Sequence, residues 1–348
     1  MTTLGPYAAL DHVFEVDVTT GDDPTLAALF APLAAGGPAT HTYEIALPDG
    51  DEPGWIGLAD RRVPKQELSS IHSRLLLEVG QAAEASTDEP ILHGCLLELD
   101  GVGVLVAGRS GSGKSTLTAR LLGEGASLVT EDLTVLDERG AVRPYPRPVA
   151  LSSSSFEALG RELPEDDCGC GCMKYALHPE ELGGRVGERE TIDVVVLCDR
   201  DGTGVQERSL PDTLEALFKQ ASVGHVDGLD QMARVARALA GARCVELGTQ
   251  DLDQAVAELT AVLGEPRTPV VVGAEAVAGG TVVYLDGEAI IRVEHVVHHL
   301  DAAATAVWVL HTEGLSAEAI AAELDWDAVA VQETLQRLRE LELPAPVG

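Results

Sequence analysis

The sequence predicts an α/β fold in three parts: a small α+β segment, a central α/β domain, and a C-terminal winged-helix domain with three strands and three helices. Three observations support this arrangement. An apolar run over 102–107 leads into a glycine-rich loop and then a helix. Further apolar strands and amphipathic helices fill the region up to residue 264, as in α/β domains. A hairpin with an Asp286-Gly287 turn then precedes three helices.

Residues 1–87 form the predicted α+β segment. Apolar residues occupy every second position in two places, which predicts two half-buried strands: Phe14, Val16 and Val18, then Tyr43, Ile45 and Leu47. The stretch 68–83 has apolar residues along one side of a helix. The polar stretch 86–90 then breaks the pattern.

Residues 88–264 form the predicted central domain, residues 265–269 a linker, and residues 270–348 the C-terminal domain. Strands of the central domain are predicted at 91–99, 102–107, 127–129, 133–136 and 191–198. Helices are predicted at 116–122, 212–220, 231–240 and 252–263. The linker is rich in proline, and the pattern on its C-terminal side changes to short strands.

The glycine-rich loop fits the phosphate-binding pattern G-x-x-x-x-G-K-[ST] at every fixed position. Backbone amides of such a loop surround phosphate oxygens, and the following helix adds the partial positive charge of its N-terminus. We therefore expect ATP and Mg²⁺ as cofactors, with Lys114 at the β/γ-phosphates and the Ser115 hydroxyl on Mg²⁺. The predicted nucleotide-binding residues are Gly108, Arg109, Ser110, Gly111, Ser112, Gly113, Lys114, Ser115 and Thr116.

The overall charge argues against a nucleic-acid partner. The chain carries 24 Lys and Arg against 57 Asp and Glu, a net charge of −33, whereas phosphate backbones select basic surfaces. No signal peptide is visible, and no stretch approaches the length of a membrane span, so we expect a cytoplasmic protein without a membrane partner. Six cysteines in a chain of 348 residues do not indicate a disulfide scaffold.

Two further segments accompany the loop. Leu92-His93-Gly94 lies on the strand before it, and Leu128-Val129-Thr130-Glu131-Asp132 follows one helix later. Together with the loop, this arrangement resembles HPr kinase/phosphorylase and its kinase relatives, which share a fold with the PEP carboxykinases. The resemblance covers 91–136 and implies that His93 lies at the active site, that Glu131 is the catalytic base, and that Asp132 acts on the metal side.

One departure from that family pattern concerns the acid pair. Glu131 stands where the family has Asp, and its side chain is one methylene longer. Which of Glu131 and Asp132 acts as the base therefore stays open. Both, with Ser115, are the predicted metal ligands, since Mg²⁺ prefers oxygen. The resemblance does not imply phosphorylase activity.

Other candidate site residues follow the acid pair. Arg147 lies between two prolines, which suits a fixed bidentate contact to phosphate or carboxylate, and it is a predicted catalytic residue together with Lys114. Lys174 and His178 are weaker candidates for an acceptor site. Cys168, Cys170 and Cys172 alternate with glycine, so they form either a soft-metal site or a loop of free thiols. Cys95, Cys198 and Cys244 lie in apolar strands and are predicted core residues.

The C-terminal domain resembles the PqqD-like family, the recognition element of ribosomally made, modified peptides. The resemblance rests on 298–308 and on the helical patterns that follow it. It implies that a leader peptide adds to the edge of the small sheet and settles against the last helix. The predicted peptide-binding residues are Val296, Val297, His298, His299, Leu300, Val331, Leu335 and Leu338. A DNA-binding winged helix is the alternative, but the last helix is not basic.

These patterns together predict an ATP-dependent kinase that phosphorylates a side chain, most simply Ser, of a precursor (leader) peptide held by the C-terminal domain. This resembles the kinases of lasso-peptide and related pathways. Three alternatives remain open: a regulatory protein kinase with a folded partner, a non-enzymatic scaffold with a nucleotide switch, and a metabolite kinase related to the carboxykinases. The first resemblance also implies a possible homo-oligomer.

Overall fold

The computed structural model describes residues 1–21, 23–49, 52–58, 61–65, 68–164, 174–220, 228–263, 269–277 and 279–343. Cys168, Cys170 and Cys172 lie outside these ranges, as does the predicted linker except for residue 269. Within the described residues, no helix is both long enough and apolar enough to span a membrane.

The N-terminal segment is a five-stranded sheet with two helices. Its elements are β1 (Thr2–Ala9), β2 (His12–Val18), α1 (Pro24–Phe30), β3 (His41–Ala46), β4 (Gly54–Leu58), β5 (Arg61–Lys65) and α2 (Leu68–Ala85). The strands pair in chain order. Asp23 caps α1 by accepting a hydrogen bond from the Thr25 amide, and Pro24 suits the first helical position. The predicted strands at 14–18 and 43–47 and the predicted helix from residue 68 are confirmed.

The described residues of the central region form eleven strands, β6 to β16. They are β6 (Ile91–Leu99), β7 (Val102–Ala107), β8 (Ser127–Thr130), β9 (Leu133–Leu136), β10 (Val142–Arg143), β11 (Val149–Ser152), β12 (Lys174–Leu177), β13 (Arg185–Val186), β14 (Val194–Asp199), β15 (Val205–Glu207) and β16 (Arg243–Gly248). Its helices are α3 (Lys114–Gly123), α4 (Ser153–Ala158), α5 (Leu210–Gln220), α6 (Leu229–Ala238) and α7 (Leu252–Val262). The strand and helix predictions for this region hold to within a few residues at each end.

The main sheet of this region positions the site. Its order is β10-β9-β6-β7-β14-β16-β15, with β8 beside β6 and β13 beside β8. Strands β7, β14 and β16 run parallel and are almost entirely buried, as expected when helices cover both faces. Their carboxyl ends meet at one edge, which is where ligands bind in open α/β sheets.

The N-terminal segment shares a hydrophobic core with the central region. Leu75 and Val79 of α2 pack in the same buried cluster as Ile91, Val135 and Tyr145. Helix α2 therefore lies close behind the acid-pair segment, and the site depends on both parts of the chain.

The C-terminal domain has four strands, not the three predicted. They are β17 (Val272–Val277), β18 (Gly280–Leu285), β19 (Glu288–Val293) and β20 (Val296–Leu300), antiparallel and paired in chain order. Three helices follow: α8 (Ala302–Thr312), α9 (Ala317–Leu324) and α10 (Ala328–Glu340). Strand β17 escaped prediction because it contains glycine and alanine and is mostly not buried, so its hydrophobic alternation is weak.

Both faces of this C-terminal sheet are covered. One face packs on α5 and α6, where Val283, Leu285, Ile290 and Val297 join a core cluster of the central region. The other face packs on α8, α9 and α10. The buried side chain of Arg292 donates to the Phe218 carbonyl across the first contact (3.2 Å). Val331, Leu335 and Leu338, which were predicted to line a peptide groove, are all buried in the core against the sheet, and their contact with a peptide stays a prediction.

Candidate active site

The glycine-rich loop connects β7 to α3 at the edge where the parallel strands end. Gly113 adopts φ +95°, and a Cβ on it would lie 2.7 Å from Thr249 Oγ1. Gly108 adopts φ +144°, and its Cβ would lie 2.6 Å from Ser112 Oγ. Only glycine therefore fits at either position. These glycines allow the loop to fold tightly over the N-terminus of α3.

Two side chains hold the loop in this shape. Lys114 Nζ donates to the carbonyl oxygens of Gly108 (2.6 Å) and Arg109 (3.1 Å). Thr249 Oγ1, just beyond β16, donates to the Ser112 carbonyl (3.0 Å). The ammonium group of Lys114 is thus already placed inside the loop, within reach of a phosphate bound there.

A backbone hydrogen bond ties the His-Gly segment to the acid pair. The Gly94 amide donates to the carbonyl oxygen of Asp132 (3.1 Å), and Thr134 Oγ1 donates to the Gly94 carbonyl (3.1 Å). Gly94 has no room for a side chain, since a Cβ would lie 2.7 Å from the Val106 carbonyl on β7. This contact holds the two sequence segments side by side at the edge of the pocket.

The two acids of the pair point in different directions. The Glu131 side chain is 3% exposed, whereas that of Asp132 is 51% exposed. Asp132 has a positive φ of 67°, a conformation that few non-glycine residues adopt and that is frequent at functional sites. This turn between β8 and β9 places Asp132 in the pocket and Glu131 behind it.

Arg147 holds both acids. Its Nε donates to Glu131 Oε2 (2.5 Å) and its Nη2 to Asp132 Oδ2 (2.9 Å). Its Nη1 reaches the Leu76 carbonyl on α2 (3.5 Å) and lies 3.1 Å from the position of a Cβ on Gly80. Arg147 thus bridges two carboxylates with one hydrogen bond to each, rather than making the predicted bidentate contact to a single group.

Burial shapes the ionisation of this group. Burial raises the pKa of Glu131, and the charge of Arg147 opposes that rise. Burial lowers the pKa of Arg147, but the charges of Glu131 and Asp132 outweigh it and raise that pKa overall. Burial also raises the pKa of the Cys95 thiol to about 12, as expected for the core residue that was predicted.

A single pocket brings the predicted site residues together. The predicted residues that line it are His93, Gly108, Arg109, Ser110, Gly111, Gly113, Lys114, Ser115, Thr116 and Asp132. Ser112 lies buried beneath the loop. Glu131 and Arg147 are not among the lining residues and lie behind Asp132, and their predicted catalytic and metal-binding roles stay predictions. Of the weaker candidates, Lys174 lines the pocket and His178 does not.

Other lining residues were missed from the sequence. Arg200 and Asp201 follow β14, and Thr249, Gln250 and Asp251 follow β16. They all lie at the carboxyl ends of strands parallel to β7. Ligands of open α/β sheets bind at these ends, so knowledge of the strand order would have been enough to predict them. The end of β11 and the start of α4 contribute the hydroxyls of Ser152, Ser154 and Ser155 to the pocket. Thr116 Oγ1 donates to Ser155 Oγ there (2.9 Å).

The residues present fit a magnesium nucleotide. Ser112 Oγ is buried and has no hydrogen-bond partner among the described residues, so it is available to a bound group. The loop around it is packed so closely that only glycine fits at two of its positions. Lys114 and the amides at the start of α3 suit phosphate oxygens. Ser115 lines the same pocket and supplies a hard oxygen ligand of the kind that Mg²⁺ prefers.

The predicted peptide-binding strand has a mixed environment. Val296 is 54% exposed, whereas Val297 and Leu300 are buried in the cores on opposite faces of the sheet. His298 is half-buried. The ring of His299 contacts Glu288 on the neighbouring strand β19 (2.6 Å) and Asp212 on α5 (3.3 Å). The backbone edge of β20 nevertheless ends the sheet.

Comparison with known proteins matches the same segment. Residues 84–154 match the model of the HPr Serine kinase C-terminal domain. The similarity is confined to this segment of the chain. A relative in Variovorax paradoxus (strain S110), described as HPr kinase/phosphorylase, is 31% identical over an alignment of 96 residues, and the match covers 23% of this chain. The match spans 30% of that relative's length.

A solved structure is also similar in part. It is described as the Hpr(Ser) kinase/phosphatase from Coxiella burnetii. The similarity covers 34% of this chain and 77% of that one, at 19% identity and a TM-score of 0.24, a level that carries no argument about fold. The matched family segment includes His93, the glycine loop, both acids and Arg147, whereas Lys174, Arg200 and Thr249 lie outside it.

Proposed function

We propose that this chain is an ATP-dependent kinase that phosphorylates a side-chain hydroxyl. One observation carries the proposal: the glycine loop, Lys114, His93 and Asp132 line a single pocket. Phosphoryl transfer depends mainly on positioning and on neutralising charge, and this pocket has groups for both. The similarity of residues 84–154 to a Ser kinase domain supports the same reaction.

In this reaction, different residues of the pocket bind the nucleotide and activate the acceptor. Bound Mg-ATP supplies the phosphoryl group that is transferred. The loop amides and Lys114 bind its phosphates, and Ser115 contributes an oxygen ligand to the metal. Asp132 accepts the proton of the acceptor hydroxyl, whose oxygen forms the new bond to phosphorus while ADP leaves. Glu131 and Arg147 hold Asp132 in place from behind.

The acceptor in this proposal is a Ser of a ribosomally made precursor peptide, recruited through the C-terminal domain. Strand β20 is at the edge of its sheet, and an extended leader peptide adds to such an edge through backbone hydrogen bonds. The exposed Val296 offers an apolar contact at the start of this edge. Capture raises the concentration of the core peptide at the kinase site, to millimolar for a short linker.

A direct test uses the full-length protein, Mg-ATP and the precursor peptide encoded beside its gene, read by intact mass. The proposal predicts a gain of about 80 Da for each phosphate transferred, as in the kinase reaction. Fragmentation then locates the phosphate on a serine. Peptide that stays unmodified, although the protein binds both it and ATP, contradicts the kinase assignment.

A second comparison tests recruitment by the leader. We expect the full precursor to be phosphorylated far faster than its core alone, and an excess of isolated leader to compete. A regulatory kinase acting on a folded protein is the alternative, favoured by the burial of Val331, Leu335 and Leu338, which leaves no side-chain groove at those positions. Equal rates for precursor and core would support this alternative and contradict leader capture.

A further inference from the structure

Three side chains with metal-binding atoms meet where the C-terminal domain contacts the central region. Asp212 and Glu215 belong to α5, and His299 belongs to β20. One ligand atom from each lies within 4.8 Å of the others. All three are partly buried, with side-chain exposures of 45% for Asp212, 27% for Glu215 and 17% for His299. This cluster is separate from the nucleotide pocket, because none of its residues lines that pocket.

The imidazole of His299 is oriented in the way that metal-binding histidines are. Its Nε2 contacts Glu288 Oε2 at 2.6 Å, which suits an N–H donor at Nε2. In that tautomer Nδ1 presents its lone pair to Asp212 Oδ1, 3.3 Å away. A lone pair facing a carboxylate oxygen is repulsive unless a proton or a cation lies between them. Hydrogen bonding of the distal nitrogen to a carboxylate is the usual partner arrangement of a metal-bound histidine.

The carboxylates of Asp212 and Glu215 are also positioned to bind a metal ion. They are three residues apart on one helix and so share a face. Asp212 Oδ2 accepts a hydrogen bond from Ser209 Oγ (2.7 Å), which leaves Oδ1 directed at His299. Glu215 Oε1 forms an ion pair with Lys219 (2.8 Å), and a carboxylate has a second oxygen for a metal. The donor set is therefore one nitrogen and two oxygens.

We propose that Asp212, Glu215 and His299 form a divalent cation site, best suited to Zn²⁺, that joins the C-terminal domain to the central region. Three protein ligands of this kind plus water complete a tetrahedral zinc site. Ligand atoms about 2.0–2.2 Å from the metal lie roughly 3.4 Å apart in that geometry. The His299–Asp212 pair already has this spacing, and Glu215 offers an oxygen within 4.8 Å of both. Two carboxylates and a neutral imidazole balance the charge of the metal.

The site is tested by zinc titration of the full-length protein after chelator dialysis, in a background with Cys168, Cys170 and Cys172 changed to Ser so that thiols do not compete. Calorimetry is expected to show one zinc per chain at this site and a zinc-dependent rise in Tm, because a ligand bound only by the folded state stabilises it. His299→Gln removes both effects. Glu288→Gln weakens zinc binding about 10- to 100-fold, as loss of a partner to a metal-bound histidine does.

His298→Gln is the matched control, since it removes the neighbouring imidazole and is expected to leave zinc affinity and the rise in Tm unchanged. Where His299→Gln fails to fold by circular dichroism, Asp212→Asn decides, because Asp212 is 45% exposed. Absence of saturable zinc binding overturns the proposal. Equal zinc binding by wild type, His299→Gln and Asp212→Asn overturns it as well.

Discussion

Arg147 Nε donates to Glu131 Oε2 over 2.5 Å, and the two side chains are only 10% and 3% exposed. The same guanidinium reaches the exposed carboxylate of Asp132 (2.9 Å). The buried guanidinium of Arg147 therefore connects Glu131, behind the pocket, to Asp132, which lines it. Because Arg147 also contacts the Leu76 carbonyl on α2, the N-terminal segment helps to position this acid.

Glu131→Gln is expected to destabilise the protein strongly. The change leaves the buried Arg147 without its main counter-charge, and breaking a buried ion pair on one side costs about 3–5 kcal/mol. Urea unfolding measures the loss. Glu138→Gln is the control at an exposed position and should stay within about 0.5 kcal/mol of wild type. A similarly small change in Glu131→Gln would show that the ion pair does not stabilise the fold.

Lys114→Ala is expected to lower phosphoryl transfer by about 100-fold or more, the usual cost of removing one fixed group that stabilises transition-state charge. It also removes two hydrogen bonds to the loop carbonyls, but the Thr249 contact keeps the loop folded. The readout is the initial rate of peptide phosphorylation by intact mass. Arg139→Ala removes an exposed cation away from the pocket and should leave this rate unchanged.

Gly80→Ala tests the contact between α2 and Arg147. Alanine normally stabilises a helix interior by about 0.5–1 kcal/mol relative to glycine. At Gly80 the new methyl group would lie 3.1 Å from Arg147 Nη1, and overpacking costs about 1–3 kcal/mol, so a net loss near 1 kcal/mol is expected. Gly123→Ala on α3 meets only an ordinary contact at 3.6 Å and should not destabilise. Equal stabilisation of both variants in urea would refute the packing argument.

The sequence predicted the parts of this site that depend on local pattern. The glycine loop follows a fixed spacing, and β6 and β7 have apolar runs with clear ends, so their bounds agree with the structure. The partition of Glu131 and Asp132 depends on a positive φ at Asp132 and on Arg147, 15 residues further along the chain. Thr249 reaches the loop from β16, 137 residues away from Ser112. Such contacts are set by the order of the sheet, which a single sequence does not reveal.

In the C-terminal domain, the local pattern predicted the helix faces but not what packs on them. The pattern placed Val331, Leu335 and Leu338 on one helix face correctly, but a shared apolar face does not distinguish a groove from a core. The structure buries that face. The packing of β18 to β20 on α5 and α6 could not be predicted from the sequence either. Strands that are buried on both faces have apolar residues on both, so they lack the alternation that shows which face packs on a core.

Asp23 is expected to make the N-terminal segment sensitive to acid. Burial raises the pKa of its carboxyl, but hydrogen bonds from His72 and Thr25 outweigh this and lower the pKa to about 2. The unfolded value is about 3.9, so the stability contributed by the carboxylate is present above that pH and is lost as the pH falls from about 4 toward 2. Urea unfolding of wild type and Asp23→Asn at pH 5.5 and 3.0 measures this. Their difference in unfolding free energy should shrink at pH 3.0, and a constant difference would contradict the assignment.

The most direct test of the kinase account is the role of Asp132. The measurement is single-turnover transfer from [γ-³²P]ATP to the precursor peptide at saturating Mg²⁺ and nucleotide. We expect Asp132→Asn to slow transfer by about 100-fold or more, within the range for loss of a general base. Nucleotide affinity should change little. Asp100→Asn is the matched control, since Asp100 is also an exposed aspartate with positive φ (51°), outside the pocket, and it should transfer phosphate at the wild-type rate. Transfer by Asp132→Asn at the wild-type rate would contradict the account.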